Sequence, residues 1–484
     1  METQKLKNVG WVSIMTAALL ALTLLIVSGG EGQITQALAD SAQLTRQLTV
    51  TVYLPLVARD YDPAYVSPFG IVMYDNVDDA AGRQKMQEAG SKWVTTVLPW
   101  SVIEPTKGNY DWSSFDAKAQ NAKAAGMDVF VLFFSNPAWA AALPGGPLTD
   151  TRDLVDFMTL AAERYDCDGT DDALGSPCVH YWSFYAEPDN GDLGQAYEGK
   201  GYWGHNGAGF AAMLFQVSPA IHAANPQAKV LIGGLAYDWF EEESGPFVRS
   251  FLTDTLTTLN GYPGGAPAYI DAVAFHFYPI SGARWPTIRE KALEVRGIME
   301  RHGAGDLPLL CPETGFWSSS KFGSSEQKQA QWLAQMYVRG VSVGIPFLSW
   351  YQVFDIAEAG GVDDLYPDRT SGLLRKDGAL KPSYYAYRTM TQELAWARYL
   401  RSLQQADAEG YVFRMPNGRE KTVAWATITQ ANVIFPYTRL RWVDTLGNAQ
   451  APINDGGPGD WDYAVNGQIA LRVELDTPIY VEPY

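Results

Sequence analysis

The most constraining feature of this chain is a regular alternation of strand-like and helix-like segments that begins at Phe69. Each strand-like segment is a short, largely apolar run, followed by a segment with helical spacing of apolar residues. Apolar strands separated by helices indicate a parallel sheet that is covered on both faces. Eight such repeats predict an α/β fold of the (β/α)₈ TIM barrel type. The predicted strands are Gly70–Tyr74, Trp93–Trp100, Val129–Phe134, Val179–Tyr185, Lys229–Leu235, Ile270–Phe277, Leu307–Leu310 and Phe347–Val353.

The sequence pattern changes after Arg401, where short strand-like runs are separated by turn residues such as Asn417-Gly418. This spacing predicts a small C-terminal β-sandwich domain. We expect it to pack on the flank of the barrel rather than to bind carbohydrate by itself, because the connection between the two is short and helical. The predicted organisation is a signal peptide over residues 1–39, a linker over 40–66 containing one strand (Leu48–Val57), a barrel over 67–400 and a β-sandwich over 401–484.

The first residues have the pattern of an export signal. Lys5 and Lys7 precede the apolar run Trp11–Val27, and Ala37-Leu38-Ala39 matches a signal-peptidase site before Asp40. The apolar run is short for a membrane span. We therefore predict a secreted or extracytoplasmic protein, with an uncleaved N-terminal membrane anchor as the alternative.

Composition excludes several classes of partner. The formal net charge of −18 disfavours nucleic acids and anionic membrane surfaces. It also disfavours strongly acidic polysaccharides, unless the binding cleft carries its own Arg and Lys residues. Aromatic residues make up 13% of the chain, which suits a sugar-binding cleft but also suits a large core. The sequence does not predict the oligomeric state.

Cysteines and acidic clusters give little sign of a metal or a cofactor. Cys167 and Cys178 bracket a short polar segment and would pair in an oxidising compartment, whereas Cys311 is expected to be a buried thiol. The acidic segment 166–172 has its glycine, Gly169, at the fourth rather than the sixth place of a calcium loop, and Pro177 stands where the final glutamate should be. We therefore predict a cross-linked surface turn. No catalytic zinc spacing and no phosphate-binding loop is present, and we predict neither a metal nor a cofactor.

Two glutamates carry the functional prediction. Glu187 follows the fourth predicted strand and Glu313 follows the seventh. In a parallel barrel both positions lie at the carboxyl ends of the strands, where active sites form. A protonated and an ionised carboxyl group facing each other across one site are what retaining glycoside hydrolysis requires.

These segments resemble those of the clan A glycoside hydrolases, including families 39, 42 and 5, over the whole predicted barrel. In that clan the acid/base glutamate lies in an Asn-Glu-Pro sequence after strand four, and the nucleophile lies in a Glu-Thr-Gly-like sequence at strand seven. Here Glu187 is followed by Pro188, and Glu313 by Thr314-Gly315. The resemblance implies a hydrolase that cleaves O-glycosidic bonds, on β-linked glycans, with Glu187 as acid/base and Glu313 as nucleophile.

The resemblance also implies contacts to the substrate. His276 and Tyr278 lie on one face of strand six, where these families place residues that hydrogen-bond the nucleophile or the sugar. Trp350 corresponds to the tryptophan that floors the sugar site, although its apolar surroundings equally predict a core residue. Glu104 is expected to be structural. The other predicted substrate contacts are Trp100, Asn136 and Trp139, with Tyr202, Trp203, Trp239 and Trp317 as further candidates for the cleft.

One position departs from the clan pattern. The residue before the acid/base is Ala186, where the clan has an Asn that bonds the sugar 2-hydroxyl. Contacts to the 2-hydroxyl strengthen in the transition state, so their loss slows an ordinary glycosidase. Three explanations are consistent with Ala186. The substrate has a modified 2-position, a loop residue such as Asn136 replaces the missing Asn, or the activity is weakened. The alternative function is a non-catalytic glycan-binding barrel with a degenerate site.

Overall fold

The computed structural model describes residues 67–191, 203–279 and 284–484. The predicted signal peptide and linker, including the strand Leu48–Val57, lie outside these residues. The domain boundaries and the compartment therefore stay predictions. Within the described ranges, no helix is long and apolar enough to cross a membrane.

Eight parallel strands close into a barrel in chain order, which confirms the predicted fold. The barrel closes where Phe69 of the first strand pairs with Leu348 of the last. Most of these strands are buried along nearly their whole length, as expected for runs that are apolar on both faces. The strands are β1 Phe69–Val72, β2 Trp93–Pro99, β3 Asp128–Phe134, β4 Tyr181–Phe184, β5 Lys229–Leu235, β6 Ala272–Phe277, β7 Leu309–Thr314 and β8 Leu348–Trp350.

Helices follow the strands and cover the outside of the barrel. Several begin at polar caps: Asp150 accepts the amide of Arg152, and Ser325 accepts that of Lys328. The helices are α1 Arg83–Glu88, α2 Trp100–Ile103, α3 Ser113–Ala124, α4 Thr151–Arg164, α5 Gly207–Ala224, α6 Phe251–Asn260, α7 Ile288–Arg301, α8 Glu326–Ser342 and α9 Pro382–Leu394.

The seventh strand differs from its prediction, which ended at Leu310. β7 continues to Thr314 and includes Glu313, so this glutamate lies in the strand rather than after it. The pairing of β7 shifts register against both β6 and β8 around Pro312. Proline has no N–H for the ladder, and an irregular register lets the strand continue past it.

A small separate core fills the interior of the barrel. It contains Trp93, Phe130, Leu231, Leu310 and Phe347, which come from or adjoin five different strands. The rings of Phe130 and Phe347 lie 5.1 Å apart and nearly parallel. These residues lie at or near the amino ends of their strands. The packed layer leaves the carboxyl ends for a cavity.

The C-terminal part is antiparallel, and the predicted β-sandwich is confirmed. Six strands form one sheet in the order β14-β13-β16-β11-β10-β9, and β12 pairs with β15 in a second sheet. The strands are β9 Arg398–Ser402, β10 Ala408–Arg414, β11 Glu420–Ala426, β12 Gln430–Phe435, β13 Arg439–Val443, β14 Ile453–Asn454, β15 Ile469–Glu474 and β16 Ile479–Pro483.

This sandwich packs against helix α8, as expected for a module that covers the flank of the barrel. Arg339 makes two hydrogen bonds to Glu409, of 2.7 and 2.6 Å, and its guanidinium lies 5.2 Å from the Trp425 ring. Gln331 and Gln335 hydrogen-bond the turn after β15.

The cysteines are as predicted. Cys167 and Cys178 form the predicted disulfide, and Cys311 is free and buried.

Candidate active site

Glu313 is held at both of its carboxylate oxygens. Tyr278, just after β6, donates to Oε1 at 2.7 Å. Tyr74, just after β1, donates to Oε2. Burial is the main cause that raises the pKa of both tyrosines well above the ordinary value, and the neighbouring Glu313 charge adds to it. Both therefore remain hydroxyl donors at working pH, and two such donors favour the ionised form of the carboxylate.

Glu187 lies three residues beyond the end of β4, and its backbone amide bonds to the neighbouring strand. Its φ of 48° and that of Tyr185, 61°, are left-handed, a conformation that side chains rarely adopt outside strained, over-determined sites. The amide of Glu187 donates to the carbonyl of Gly234 at 2.9 Å. Strand β5 thereby fixes the position of the Glu187 backbone from which the side chain extends.

His276 links the two glutamates. Its Nδ1 lies 3.2 Å from Oε1 of Glu187 and 4.0 Å from Oε1 of Glu313. The imidazole Nδ1 and one oxygen from each carboxylate all lie within 4.8 Å of one another. His276 is 3% exposed, and the two glutamate side chains are 15% and 9% exposed. The two carboxyl groups that sequence places far apart thus meet in one partly dehydrated site.

The Gly233-Gly234 pair at the end of β5 makes room for this arrangement. A Cβ on Gly234 would lie 2.0 Å from Nε2 of His276, and one on Gly233 would lie 2.1 Å from the carbonyl oxygens of Phe184 and Tyr185. Because no side chain can be accommodated at such distances, glycine allows β5 to approach both β4 and β6.

A buried polar network supports the loops that follow β4 and β5. Asp189 accepts the backbone amides of Ala236 and Tyr237 at 3.0 and 2.7 Å. The Lys291 ammonium, from helix α7, donates to the Ala236 carbonyl. Burial raises the pKa of Asp189 to about 6 and lowers the pKa of Lys291. The network connects the segment that carries Glu187 with the segment that follows β5.

A cavity of about 550 Å³ opens at this end of the barrel. Its volume is in the range of small-ligand sites. Of the predicted site residues, Glu313, His276 and Tyr278 line it, and Glu187 contacts His276 from the same site. Its lining also includes Tyr74, Asp75, Ala186, Asp238, Phe247, Lys291, Trp317, Tyr351, Asp368 and Ser371.

Two predicted tryptophan contacts are wrong because the core takes up their side chains. Trp350 is fully buried and its indole N–H donates to the carbonyl of Ser371 at 2.8 Å, so the neighbouring residues line the cavity instead. Trp100 is fully buried, stacks on Phe157 and donates to Glu104 at 2.7 Å. Glu104 also accepts an amide from its own loop, which confirms its structural role.

Two further predicted contacts, Asn136 and Trp139, lie outside the cavity lining and stay predictions. Asn136 accepts a hydrogen bond from the Tyr185 hydroxyl at 2.8 Å and donates to the carbonyl of Gly146 at 2.9 Å. Because its side-chain amide makes both of these hydrogen bonds, Asn136 does not supply the sugar contact that the clan's Asn makes from the position of Ala186. Trp139 packs edge-on against Trp100 and donates to the Glu104 backbone, outside the cavity lining.

The additional aromatic candidates divide between the cavity, the core and the surface. Trp317 lines the cavity, as predicted. Trp203 packs in the core against Tyr185, and Trp239 is half exposed. Tyr202 lies outside the described residues.

The lining residues that sequence reasoning missed include Tyr74, Asp238 and Lys291. Tyr74 was identified as the last residue of the first predicted strand, and its strand-end position was the available signal. Asp238 follows β5 in the same way. Lys291 had no such signal, because it lies inside a helix, where a lysine commonly faces solvent.

Among the residues that the structure describes, two groups of side chains have the proximity required to hold a metal ion. One is the catalytic candidate set of Glu187, His276 and Glu313; the other is Asp166, Asp168 and Asp172. In the second group Asp166 and Asp172 accept backbone amides of the same turn, which is the role predicted for it. The first group has hydrogen-bond partners suited to acid–base chemistry. The absence of a metal stays a prediction.

Comparison with known proteins agrees with the resemblance read from the sequence. A family model described as beta-galactosidase, of glycoside hydrolase family 42, matches residues 77–144. No curated protein matches the chain in sequence.

Several solved structures share the fold. A family 39 glycoside hydrolase from Bacteroides cellulosilyticus is 18% identical, with a TM-score of 0.64 over 88% of this chain and 82% of that one. A family 39 β-xylosidase from Caulobacter crescentus is 15% identical, with a TM-score of 0.57 over 87% and 96%. A family 30 endoxylanase from Clostridium papyrosolvens is 14% identical, with a TM-score of 0.57 over 87% and 97%. These likenesses confirm the predicted barrel fold, and the family-model match over residues 77–144 agrees with the predicted resemblance to clan A glycoside hydrolases.

Proposed function

We propose that the chain is a retaining O-glycoside hydrolase that cleaves β-linked glycans by double displacement. The observation that carries the proposal is the distance of at most 4.8 Å between an oxygen of Glu187 and an oxygen of Glu313. Carboxyl groups about 5–5.5 Å apart are typical of retaining enzymes, whereas inverting enzymes need roughly 6.5–9.5 Å to admit a water molecule.

The different surroundings of the two glutamates support the assignment of their roles. Glu313, with hydroxyl donors on both oxygens, is suited to attack the anomeric carbon as a carboxylate and form a glycosyl-enzyme. Glu187 donates a proton to the leaving oxygen, then removes one from the water that hydrolyses the intermediate. His276 lies beside Glu187 and orients its carboxyl group.

The alternative, a glycan-binding barrel without catalysis, rests on Ala186, which lines the cavity where the clan has an Asn. Binding alone does not require a nucleophile held by two tyrosines or a second carboxyl group within 4.8 Å of it. The hydrolase accounts for more of the site.

We further propose that the protein acts outside the cytoplasm, on the basis of its signal-like N-terminus and the Cys167–Cys178 disulfide.

The stereochemical course of hydrolysis tests the proposal. The protein is incubated with a panel of aryl β-glycosides, and the first-formed anomer of the sugar is identified by proton NMR. We expect the β-anomer first, because two inversions restore the configuration. Glu313→Gln serves as the inactive control. Initial release of the α-anomer would exclude a retaining mechanism, and no turnover of aryl glycosides or natural β-glycans would favour the binding barrel.

A 2-deoxy-2-fluoro glycosyl fluoride of the preferred sugar identifies the nucleophile independently. Such a reagent slows the second step, so the glycosyl-enzyme accumulates. We expect one added sugar on the peptide that contains Glu313, measured by mass spectrometry after digestion. Labelling of Glu187 instead would reverse the two roles.

A further inference from the structure

The cavity carries an unbalanced charge. Carboxylates of Asp75, Asp238, Glu313 and Asp368 line it, and Lys291 is the single Lys or Arg among the lining residues that the structure describes. Building on the function proposed above, we infer that the cavity accepts neutral sugars and rejects those that carry a carboxylate or a sulfate, with Asp238 as the main determinant of this selection.

Lys291 is not available to neutralise an anionic sugar. Its side chain is almost completely buried, at 1% exposure, and its ammonium donates to the carbonyl of Ala236. The main electrostatic partners of this ammonium are Asp238 and then Asp189. A buried cation that is surrounded by the protein's own carboxylates attracts a substrate anion only weakly.

Of the two carboxylate oxygens of Asp238, only one accepts hydrogen bonds from the described residues. It is 6% exposed, and its Oδ1 accepts the backbone amides of Trp239 at 2.9 Å and Arg284 at 3.2 Å. No described residue hydrogen-bonds its buried Oδ2. An ionised carboxyl oxygen only accepts hydrogen bonds, and a buried acceptor without a donor is costly. A sugar hydroxyl brought into the cavity is a donor suited to this carboxylate.

The arginine whose backbone amide bonds Asp238 does not counter this charge. The guanidinium of Arg284 pairs with Glu243 and lies 5.4 Å from the ring of Trp285. Arg284 does not line the cavity. A sugar carboxylate placed here would meet Asp238 and the other lining carboxylates, while the Lys291 ammonium is already offset by Asp238 and Asp189. Like charges brought together in a partly dehydrated site repel.

Matched pairs of substrates test the selection on the full chain. The pairs are 4-nitrophenyl β-glucoside with β-glucuronide, and β-galactoside with β-galacturonide, which differ only in the oxidation of C6. We expect kcat/KM for the neutral member to exceed that for the acid by about a hundredfold or more. The ratio should shrink as salt is added, because screening weakens the repulsion. Equal or faster hydrolysis of the acid member would overturn the inference.

Variants on one loop separate Asp238 from the general acidity of the protein. We expect Asp238→Asn to raise the relative kcat/KM of the acid member by about tenfold, since one repulsive charge is removed. Glu242→Gln is the control: it removes a charge from the same loop, but Glu242 pairs with Arg249 outside the cavity lining. This control should leave the ratio unchanged. An unchanged ratio in Asp238→Asn would overturn the role of Asp238.

A binding measurement distinguishes failure of this inference from failure of the proposed hydrolysis. If no pair is hydrolysed, the wild-type chain is titrated calorimetrically with neutral xylo- and cello-oligosaccharides and with oligogalacturonates. Binding of a neutral series alone would support the selection in a protein that does not hydrolyse. Binding of the oligogalacturonates, or of neither class, would overturn it.

Discussion

The two halves of the site are built differently. On the side of the proposed nucleophile, Glu313 lies inside a strand and both of its oxygens receive tyrosine hydroxyls. On the side of the proposed acid/base, Glu187 lies in a left-handed loop, and its backbone amide bonds to the neighbouring strand. The first arrangement fixes a charge and the second fixes a position.

This difference matches what the two steps of the proposed reaction demand. A nucleophile must stay ionised, and direct hydroxyl donors favour that state. An acid/base must exchange a proton twice, so permanent donors on both oxygens would hinder it. The backbone strain at Tyr185 and Glu187 is the cost of aiming a carboxyl group from a short loop, supported by β5 and Asp189.

Replacing each glutamate should expose the difference most strongly. We expect Glu313→Gln to lower kcat/KM by at least about 10⁴-fold for every leaving group, because attack on the anomeric carbon is lost. Glu187→Gln should cost roughly 10²–10⁴-fold with a poor leaving group, but little with dinitrophenolate, which departs without a proton. The measurement is kcat/KM over aryl glycosides of graded leaving-group acidity. The same dependence on leaving group in both variants would contradict the assigned roles.

Gly234→Ala should damage the acid/base side by displacing His276, whose ring occupies the space of the new methyl group. We expect roughly 10²-fold lower kcat, as for a catalytic group displaced by about 1 Å, and an overpacking cost of about 1–3 kcal/mol. Steady-state kinetics and chemical denaturation measure the two effects. Gly297→Ala is the control, because its nearest contact is the end of an arginine side chain. Wild-type kcat in Gly234→Ala would show that the close approach of β5 is dispensable.

Asp189 should make the stability of the acid/base side depend on pH. Burial raises the pKa of Asp189 to about 6 in the folded protein, against about 3.9 in the unfolded chain. The folded state thus favours the protonated acid, and its contribution to stability is present below about pH 4 and lost as pH rises through about 6. We expect the free energy of unfolding to fall by about 3 kcal/mol over this window. In Asp189→Asn that part of the fall should vanish in urea titrations; an identical pH slope in both proteins would refute it.

Tyr74→Phe should weaken the nucleophile side without unfolding it. Losing a hydroxyl donor to a charged acceptor costs about 1.5–3 kcal/mol, or roughly 10- to 10²-fold in kcat/KM. Tyr278→Phe should behave alike. Tyr384→Phe, whose hydroxyl bonds a backbone carbonyl of helix α1, should leave kcat/KM nearly unchanged in steady-state kinetics.

Asn136→Ala should have the smallest effect on catalysis. Its side chain bonds Tyr185 and Gly146 and does not reach the cavity lining. We expect a loss of about 1–3 kcal/mol in unfolding free energy from the unpaired groups, with KM nearly unchanged. A KM raised tenfold or more would reinstate Asn136 as a substrate contact and contradict its placement here.

The success of sequence reasoning differed between the fold and the site. The bounds of β5 were predicted to the residue, because its apolar spacing and turn residues are local signals. The end of β7 was not, since Pro312 obscured the strand that continues through it. Both glutamates were found because strand-end position is a local property with a functional consequence.

The tryptophans show where local signals fail. Trp100, Trp350 and Trp317 all lie at strand ends or in following loops, yet only Trp317 lines the cavity. An apolar pattern indicates that a side chain is buried, but not whether it faces the core or the cavity. That choice depends on partners such as Phe157 and Ser371, which are distant in sequence.

The sequence by itself determined the eightfold alternation, the C-terminal β-structure and the two glutamates, because periodicity, turn chemistry and strand ends are written in consecutive residues. Only the tertiary structure decided how the glutamates are used. Tyr74 and Glu313 lie 239 positions apart and meet because β1 and β7 belong to one closed barrel. Closure of the barrel brings distant hydroxyl, imidazole and carboxyl groups within hydrogen-bond reach, and no stretch of neighbouring residues encodes that distance.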